Sequence, residues 1–186
     1  MAPYSIRVIG DPVLRQRATE VTDIDGRLAK LADDMITTMY DAPGAGLAAP
    51  QIGVQKRLFV YDSHDDTGPH VIVNPTIVES RGEWSFEEGC LSVPALSWDI
   101  VRPNEVHLTG WDLDGNELSI EADEYLGRIF QHELDHLNGI LLLERLDEDT
   151  RKAAMRTLMD RQLAADALEP DVEVASRRAV RLPGRA

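Results

Sequence analysis

The chain has 186 residues, 43% of them hydrophobic, and a formal net charge of −14 at pH 7. This length and composition predict one domain with a substantial core, and the negative charge argues against a nucleic-acid binder, DNA included, because phosphates would be repelled. The sequence has neither a signal-peptide pattern nor a long apolar run, so we expect a cytoplasmic protein without membrane contact. Its single cysteine, Cys90, excludes an intramolecular disulfide.

The first element with a clear pattern is a helix. Apolar residues recur at spacings of three and four from about Ile24 to Asp41, which predicts an amphipathic helix that ends before Pro43 and Gly44. The stretch APGAGLAAPQIG follows and consists mainly of glycine, proline and other small residues. We therefore expect a tight, ordered loop there rather than a flexible linker.

The middle of the chain has the pattern of β-strands. The segments RLFVYD, HVIVNPTIVES, EVHLTGWDLDG and ELSIEA are β-branched or alternating, and turn residues separate them. The sequence LDGN predicts a hairpin turn between the last two. The expected structure of this region is mostly antiparallel sheet.

Helical periodicity returns at Asp123, and Asn138 and Gly139 supply the expected end of that helix. A last helix is predicted over about residues 147–165. The expected fold class is α+β, with mostly antiparallel sheets packed around the central helix and an N-terminal and a C-terminal helix beside them. We expect residues 1–168 to form a single catalytic domain and residues 169–186, which hold few large apolar side chains, to form a flexible tail.

The central helix carries the motif H-E-x-x-H, formed by His132, Glu133 and His136. Two histidines four residues apart lie on one face of a helix, so both rings can reach one metal ion. A motif of five residues also occurs by chance, and histidine pairs are common on ordinary helix surfaces. A second signal is therefore needed.

The motif alone leaves the third ligand open. The extended form of the motif is excluded, because Leu142 stands where a third histidine is needed. Glu144 and Glu148 are possible ligands, but they follow the expected helix end. Cys90, in the segment EEGCLSVP, is the other candidate, although a free cysteine is most often an inert buried residue.

Three blocks of the sequence together resemble the peptide deformylase family. They are GAGLAAPQ at residues 44–51, EGCLS at residues 88–92 and QHELDH at residues 131–136, in the order and spacing of the family. The likeness covers roughly residues 4–150. It implies that Cys90 is the third metal ligand beside the two histidines.

The resemblance implies a metallohydrolase that removes the N-formyl group from the initiator methionine of nascent proteins and releases formate. A metal hydroxide is expected to attack the formyl carbon, with Glu133 as general base and then as general acid. The implied donors to the oxyanion are the side-chain amide of Gln51 and the backbone N–H of Leu91. The implied ion in the cell is Fe²⁺, and Zn²⁺, Ni²⁺ or Co²⁺ can take its place.

The resemblance also implies a substrate site and shows two departures from the family pattern. Ala45 replaces a branched aliphatic residue, and Arg128 stands where many members have an apolar residue. Arg128 either lines the pocket or points to solvent, which is the commoner case for a helical arginine. The implied substrate-binding residues are Gly44, Ala45, Gly46, Phe86, Glu88, Tyr125 and Ile129, together with the ring of His132.

Two other functions stay open: a general zinc peptidase, and a metal-binding, ribosome-associated protein without catalysis. The resemblance also implies substrates that emerge from the ribosome, so a transient contact with the ribosome is expected. Residues 171–186 contain four arginines and two acidic residues, which gives them a net charge of +2. This tail is one candidate for the ribosome contact. The alternative, an inert tail that makes no contact, is equally open. The other candidate is the basic set on the last predicted helix: Arg151, Lys152, Arg156 and Arg161.

Overall fold

The structure is a computed structural model that describes residues 4–168. The described chain forms two compact units, which divide between Arg145 and Leu146. No helix within residues 4–168 is long and apolar enough to cross a membrane. The elements are α1 (Gly26–Asp41), β1 (Gly46–Ala48), β2 (Leu58–Tyr61), β3 (His70–Arg81), β4 (Trp84–Cys90), β5 (Val93–Arg102), β6 (Glu105–Trp111), β7 (Glu117–Asp123) and α2 (Glu124–Leu137) in the first unit, and α3 (Glu148–Leu168) in the second.

All the strand pairs are antiparallel, as the sequence predicts. Five strands form one sheet in the order β1-β2-β3-β6-β7, and β4 and β5 form a separate two-stranded hairpin. The sequence analysis did not assign β4 and β5, which lie between its predicted strands. Short 3-10 helices add turns at Pro12–Arg15, Ala49–Ile52 and Leu142–Arg145.

Helix α1 begins two residues later than its periodicity predicts, because of its N-terminal cap. The side chain of Asp25 accepts hydrogen bonds from the backbone N–H groups of Arg27 and Leu28. These bonds satisfy two donors that have no partner inside the helix. The buried face of α1 consists of Leu28, Leu31, Ala32, Met35, Thr38 and Met39.

The five-stranded sheet lies between α1 and α2. Successive side chains of a strand point to opposite faces, and β2 is buried on both. Leu58 and Val60 belong to the core cluster that contains the apolar residues of α1, whereas Phe59 and Tyr61 belong to the cluster that contains those of α2. One sheet therefore supports both helices, and the expected α+β class is confirmed.

Helix α2, which carries the H-E-x-x-H motif, ends where the sequence predicts. Asn138 is its C-terminal cap, and Gly139 follows with a φ of 73°. Glycine adopts this left-handed conformation without the steric cost that a Cβ brings. A Cβ at residue 139 would also lie 2.8 Å from the carbonyl oxygen of Arg15. Both the left-handed backbone conformation and the lack of room for a side chain therefore require glycine.

The last predicted helix is also found, as α3, and it continues to Leu168. The expected single catalytic domain over residues 1–168 stays a prediction. The predicted tail at residues 169–186 lies outside the described part of the chain.

Candidate metal centre

Three potential metal ligands from two distant parts of the chain meet at one point. The sulfur of Cys90 and one nitrogen each of His132 and His136 all lie within 4.8 Å of one another. Cys90 is the last residue of β4, and the histidines lie one turn apart on α2. The Cys90 Sγ is 3.2 Å from the Nε2 of His136. The group contains neither Glu144, whose carboxylate binds Arg15, nor Glu148.

The chemistry of this donor set fits a divalent transition-metal ion. Burial opposes ionisation of Cys90, but the neighbouring His136 and His132 outweigh it and hold the pKa of the thiol well below its usual value. The thiolate is the form of cysteine that binds metals. A sulfur and two imidazole nitrogens are the ligand types of Zn²⁺ and Fe²⁺, and three protein ligands leave a further position for water or substrate.

The orientation of His132 is fixed by Glu88. The Nδ1 of His132 lies 2.9 Å from the Oε2 of Glu88, so this nitrogen carries the proton and donates to the carboxylate. Burial alone would raise the pKa of Glu88, but hydrogen bonds from His132 and Arg102 lower it well below its usual value. A carboxylate behind the imidazole leaves Nε2 free to bind a metal ion and makes it a better ligand.

The acidic residue of the motif, Glu133, is 4% exposed, and its Oε2 has no hydrogen-bond partner among the described residues. Burial raises the pKa of Glu133 to about 7, although nearby His132 and His136 act to lower it. Buried carboxylate oxygens are normally paired. An unpaired one beside the three ligands suits a group that exchanges a proton with water or substrate.

Gln51 is fully buried, and its hydrogen bonds determine which way its amide points. The Oε1 accepts from the backbone N–H of Ala48 at 2.9 Å, so this atom must be the oxygen. The Nε2 therefore faces the centre, where it lies 3.2 Å from the Oγ of Ser92 and 3.9 Å from the Sγ of Cys90. The amide presents N–H groups beside the ligands, and the buried Ser92 is a neighbour that the sequence analysis did not identify.

A cavity of about 700 Å³ is lined by two of the three potential ligands, Cys90 and His132. A second cavity, of about 530 Å³, lies along β3, β6 and β7, but its lining has no cysteine, and Arg81 in it forms an ion pair with Glu105. The first cavity is therefore the candidate substrate site. Its lining includes every residue that the sequence analysis named for catalysis or substrate binding: Gly44, Ala45, Gly46, Gln51, Phe86, Glu88, Leu91, Tyr125, Ile129, His132 and Glu133.

The aromatic side chains at this cavity are in contact with one another. The rings of Trp84 and Phe86 stack with their centroids 4.7 Å apart, and Phe86 meets Tyr125 edge-on at 6.0 Å. Ile129 lies in the same lining and is buried. Phe86, Tyr125 and Ile129 thus give the cavity an apolar wall, and Trp84, which was not predicted from the sequence, stacks on Phe86 outside the lining.

A chain of buried ion pairs supports the centre from behind. Arg102 donates to Glu88 at 2.7 and 3.0 Å and to Asp135 at 2.7 Å, and Arg145 also binds Asp135. Arg102, Glu88 and Asp135 are all buried. Sequence reasoning missed Arg102 and Asp135. The one available signal was Asp135 itself, an acidic residue on the buried face of an apolar helix.

The structure decides between the two positions that the sequence leaves open for Arg128, the pocket lining and the solvent. Arg128 is 3% exposed, lines the cavity and donates to Glu88 at 2.8 Å. A buried guanidinium needs acceptors, and the carboxylate of Glu88 with two backbone carbonyls supplies them. An exposed position would have left Glu88 with less positive charge around it.

Comparison with known proteins gives consistent results. A family model described as polypeptide deformylase matches residues 3–152. A peptide deformylase of Halothermothrix orenii is 47% identical over 146 residues, which cover 78% of this chain and 95% of the relative. The structure of a peptide deformylase from Legionella pneumophila has a TM-score of 0.83 and 43% identity, and the match covers 90% of this chain and 99% of that chain.

A peptide deformylase from Synechococcus elongatus, solved in complex with actinonin, has a TM-score of 0.81 and 38% identity, with 91% of this chain and 94% of that chain covered. The matches include the segments that form the cavity and the three potential ligands. The sequence matches, the fold and the set of potential metal ligands all point to the same family. The chain therefore belongs to the polypeptide deformylase family.

Proposed function

We propose that this protein removes the N-formyl group from the methionine of nascent peptides and that Cys90, His132 and His136 hold the metal ion on which the hydrolysis depends. One observation carries the proposal: a sulfur and two nitrogen donors converge at a cavity of about 700 Å³, beside the buried carboxylate of Glu133, whose Oε2 has no partner within residues 4–168. Such a set suits a hydrolytic site, because a purely structural site would have a fourth protein ligand.

The ion contributes Lewis acidity, which polarises a carbonyl oxygen and lowers the pKa of a water molecule to about 7. Histidine and cysteine bind several divalent ions, and we propose Fe²⁺ in the cell and Zn²⁺, Ni²⁺ or Co²⁺ as replacements in purified protein. Metal analysis of protein purified without oxygen tests this choice.

The proton is carried by Glu133. Its carboxylate is buried, and its Oε2 has no hydrogen-bond partner among the described residues, so it can accept a proton from the attacking water. The same group then delivers that proton to the nitrogen of the departing amine. The products are formate and a peptide with a free N-terminus.

Negative charge on the formyl oxygen is stabilised by two N–H donors, the Nε2 of Gln51 and the backbone N–H of Leu91. Gln51 is held by Ala48 with its N–H groups facing the centre before substrate binds. Leu91 follows Cys90 directly, in the turn between β4 and β5. Donors fixed in advance stabilise developing charge without reorganisation.

The peptide backbone pairs with the free edge of β1. The carbonyl of Ala45 accepts from the N–H of Asp62, so residue 45 faces β2. Alternate residues of a strand turn their backbone groups to opposite sides, and Gly46 therefore presents its N–H and C=O to the cavity. An extended peptide can add there as a further strand.

The methionine side chain packs against the apolar wall formed by Phe86, Tyr125 and Ile129. Thioether sulfur makes favourable contacts with aromatic rings, and an unbranched side chain fits an irregular pocket. Gly44 and Ala45 border the same cavity and leave room for the peptide.

The test compares formyl-Met-Ala-Ser with acetyl-Met-Ala-Ser, with formate and free amine measured separately. We expect formate and free amine from the first peptide and no amine from the second. Cleavage of an unblocked internal peptide bond would favour the general zinc peptidase. Absence of any turnover by metal-loaded protein would favour binding without catalysis.

We also propose a transient contact with the ribosome and a cytoplasmic location, where nascent peptides emerge. Four basic residues are exposed on α3, although Lys152 forms an ion pair with Glu148: Arg151, Lys152, Arg156 and Arg161. Positive surfaces attract the phosphates of ribosomal RNA. The second candidate for this contact, the arginines beyond residue 170, lies outside the described residues.

A further inference from the structure

Arg128 makes three hydrogen bonds and one aromatic contact beside the potential metal ligands. Its Nη1 donates to the Oε1 of Glu88 at 2.8 Å and to the carbonyl of Ile100 at 2.9 Å, and its Nη2 donates to the carbonyl of Trp84 at 2.5 Å. The Trp84 ring also lies against the guanidinium, with its centroid 5.1 Å from Cζ. A single buried side chain of α2 thus touches both strands of the β4–β5 hairpin.

This hairpin carries Cys90, yet it shares no backbone ladder with the five-stranded sheet. The two histidines lie on α2, so the distance between sulfur and nitrogen depends on how the hairpin is held against the helix. No backbone hydrogen bonding of a sheet fixes that relationship. Side-chain contacts between the hairpin and α2 contribute to fixing it, beside the backbone bond from Ile9 to Ser92 in the hairpin turn.

Two buried arginines form hydrogen bonds between the hairpin and α2, and these bonds involve α2 residues on either side of His132. Arg128 is one helical turn before His132, and Arg102 of β5 binds Asp135, three residues after it. Both guanidinium groups also bind Glu88, whose other oxygen accepts from His132. Arg128 thereby acts on the cysteine through the hairpin and on the histidine through Glu88.

We infer that Arg128 is a positioning residue, which holds the Cys90 hairpin and Glu88 against α2 and so sets how firmly the metal ion is retained. The inference rests on the proposed metal site and extends it. Arg128 touches none of the three ligands directly. Its effect passes through Glu88, Trp84 and Ile100.

A lysine cannot replace this arginine. The planar guanidinium reaches acceptors on Glu88, Trp84 and Ile100 at once, in fixed directions. An ammonium group is a point charge that can satisfy Glu88 but not both carbonyls as well. Arg128→Lys should therefore keep the positive charge but lose the hydrogen bonds that attach the hairpin to α2. Arg128→Met should lose both the charge and the hydrogen bonds.

The experiment measures metal release, which needs no peptide substrate. Zn²⁺-loaded protein is mixed with a chelator, and Co²⁺-loaded protein gives the visible spectrum of thiolate coordination. Arg81→Met is the matched control, because Arg81 forms an ion pair with Glu105 at the surface, with 69% of its side chain exposed. Ile72→Val, a conservative change in the core, controls for general loss of stability.

We expect Arg128→Met to release Zn²⁺ about 10 to 100 times faster than the parent and to weaken the cobalt–thiolate band, since groups that orient metal ligands typically have effects of this size. The release rate of Arg128→Lys should lie between those of the parent and Arg128→Met, and both control variants should release Zn²⁺ at the rate of the parent. Release by Arg128→Met at the rate of the parent, with an unchanged spectrum, overturns the inference.

If Arg128→Met does not fold, the release rate and cobalt spectrum of Arg128→Lys test the inference. Faster release and an altered cobalt spectrum support the inference, and parental values for both overturn it. Failure of the proposed function is distinguished by the formyl-peptide assay of the unsubstituted protein, which the release experiment does not use.

Discussion

The carboxylate of Glu133 packs directly against the Cα of Gly46. A Cβ built on Gly46 would lie 2.8 Å from the Cδ of Glu133, closer than side-chain carbons approach one another. With Glu133 in its present position, the helix α2 and the edge strand β1 therefore have no room for a side chain at residue 46. The position of Glu133 depends on a glycine 87 residues earlier in the sequence.

Gly46→Ala is expected to lower kcat by at least about tenfold with the metal retained, because the added methyl group displaces the carboxylate that carries the proton and a small misplacement of a catalytic group is costly. Steady-state kinetics with formyl-Met-Ala-Ser and metal analysis measure the two effects. The control is Gly26→Ala, at the start of α1, where a Cβ meets nothing within 4 Å. Unchanged kcat in Gly46→Ala would contradict the role given to this contact.

Glu133→Ala should abolish hydrolysis while the protein still binds one metal ion. The reason is that the three donors do not include Glu133, whose free oxygen is assigned to proton transfer. Atomic spectroscopy and turnover are measured on the same preparation. Stoichiometric loss of the metal in this variant would show that Glu133 is a ligand.

Gln51→Glu should reduce kcat by about 10²–10³, the usual cost of losing one donor to an oxyanion, with little change in KM. The new carboxylate can still accept from Ala48, so the fold of the loop is kept, but it offers no N–H group to the reacting oxygen. Gln16→Glu, at an exposed position, adds the same charge elsewhere and should leave the kinetics unchanged. A loss confined to KM would instead assign Gln51 to substrate binding.

Oxygen should inactivate the Fe²⁺ form and spare the Ni²⁺ form. Iron bound to a thiolate is open to oxidation, and Cys90 can be oxidised along with it. Activity is followed in air and in peroxide, and mass spectrometry detects oxygen added to Cys90. Equal rates of decay for the two forms would exclude inactivation that begins at the iron.

A protein that ends at Leu168 should turn over formyl peptides at the rate of the full chain, because all the ligands and the whole cavity lining lie before that residue. Cosedimentation with ribosomes at several salt concentrations tests the other proposed property of the tail. Weaker binding of the shortened protein at low salt assigns the contact to the four arginines beyond residue 170. Equal binding assigns it to the basic residues of α3.

The sequence by itself determined the features that depend on neighbours along the chain. The spacing of His132 and His136 already places both rings on one helix face, and Gly139 marks the end of that helix because only its left-handed φ suits the turn. The continuous apolar run of β2, LFVY, likewise predicts a strand, and the two-residue repeat of a strand directs its side chains to both faces of the sheet. Three short blocks were enough to identify Cys90 as the companion of the histidines.

Only the tertiary structure decided which charged residues lie inside. Arg128 has an ordinary helical position in sequence, and its burial depends on Glu88, 40 residues away, and on carbonyls of two strands. The hairpin of β4 and β5 was not predicted, because its two strands show no clear alternation of apolar and polar residues. Most of their side chains are exposed or half-buried. A buried charge is stable only with its partners in place, and partners brought together by folding leave no periodic trace in the sequence.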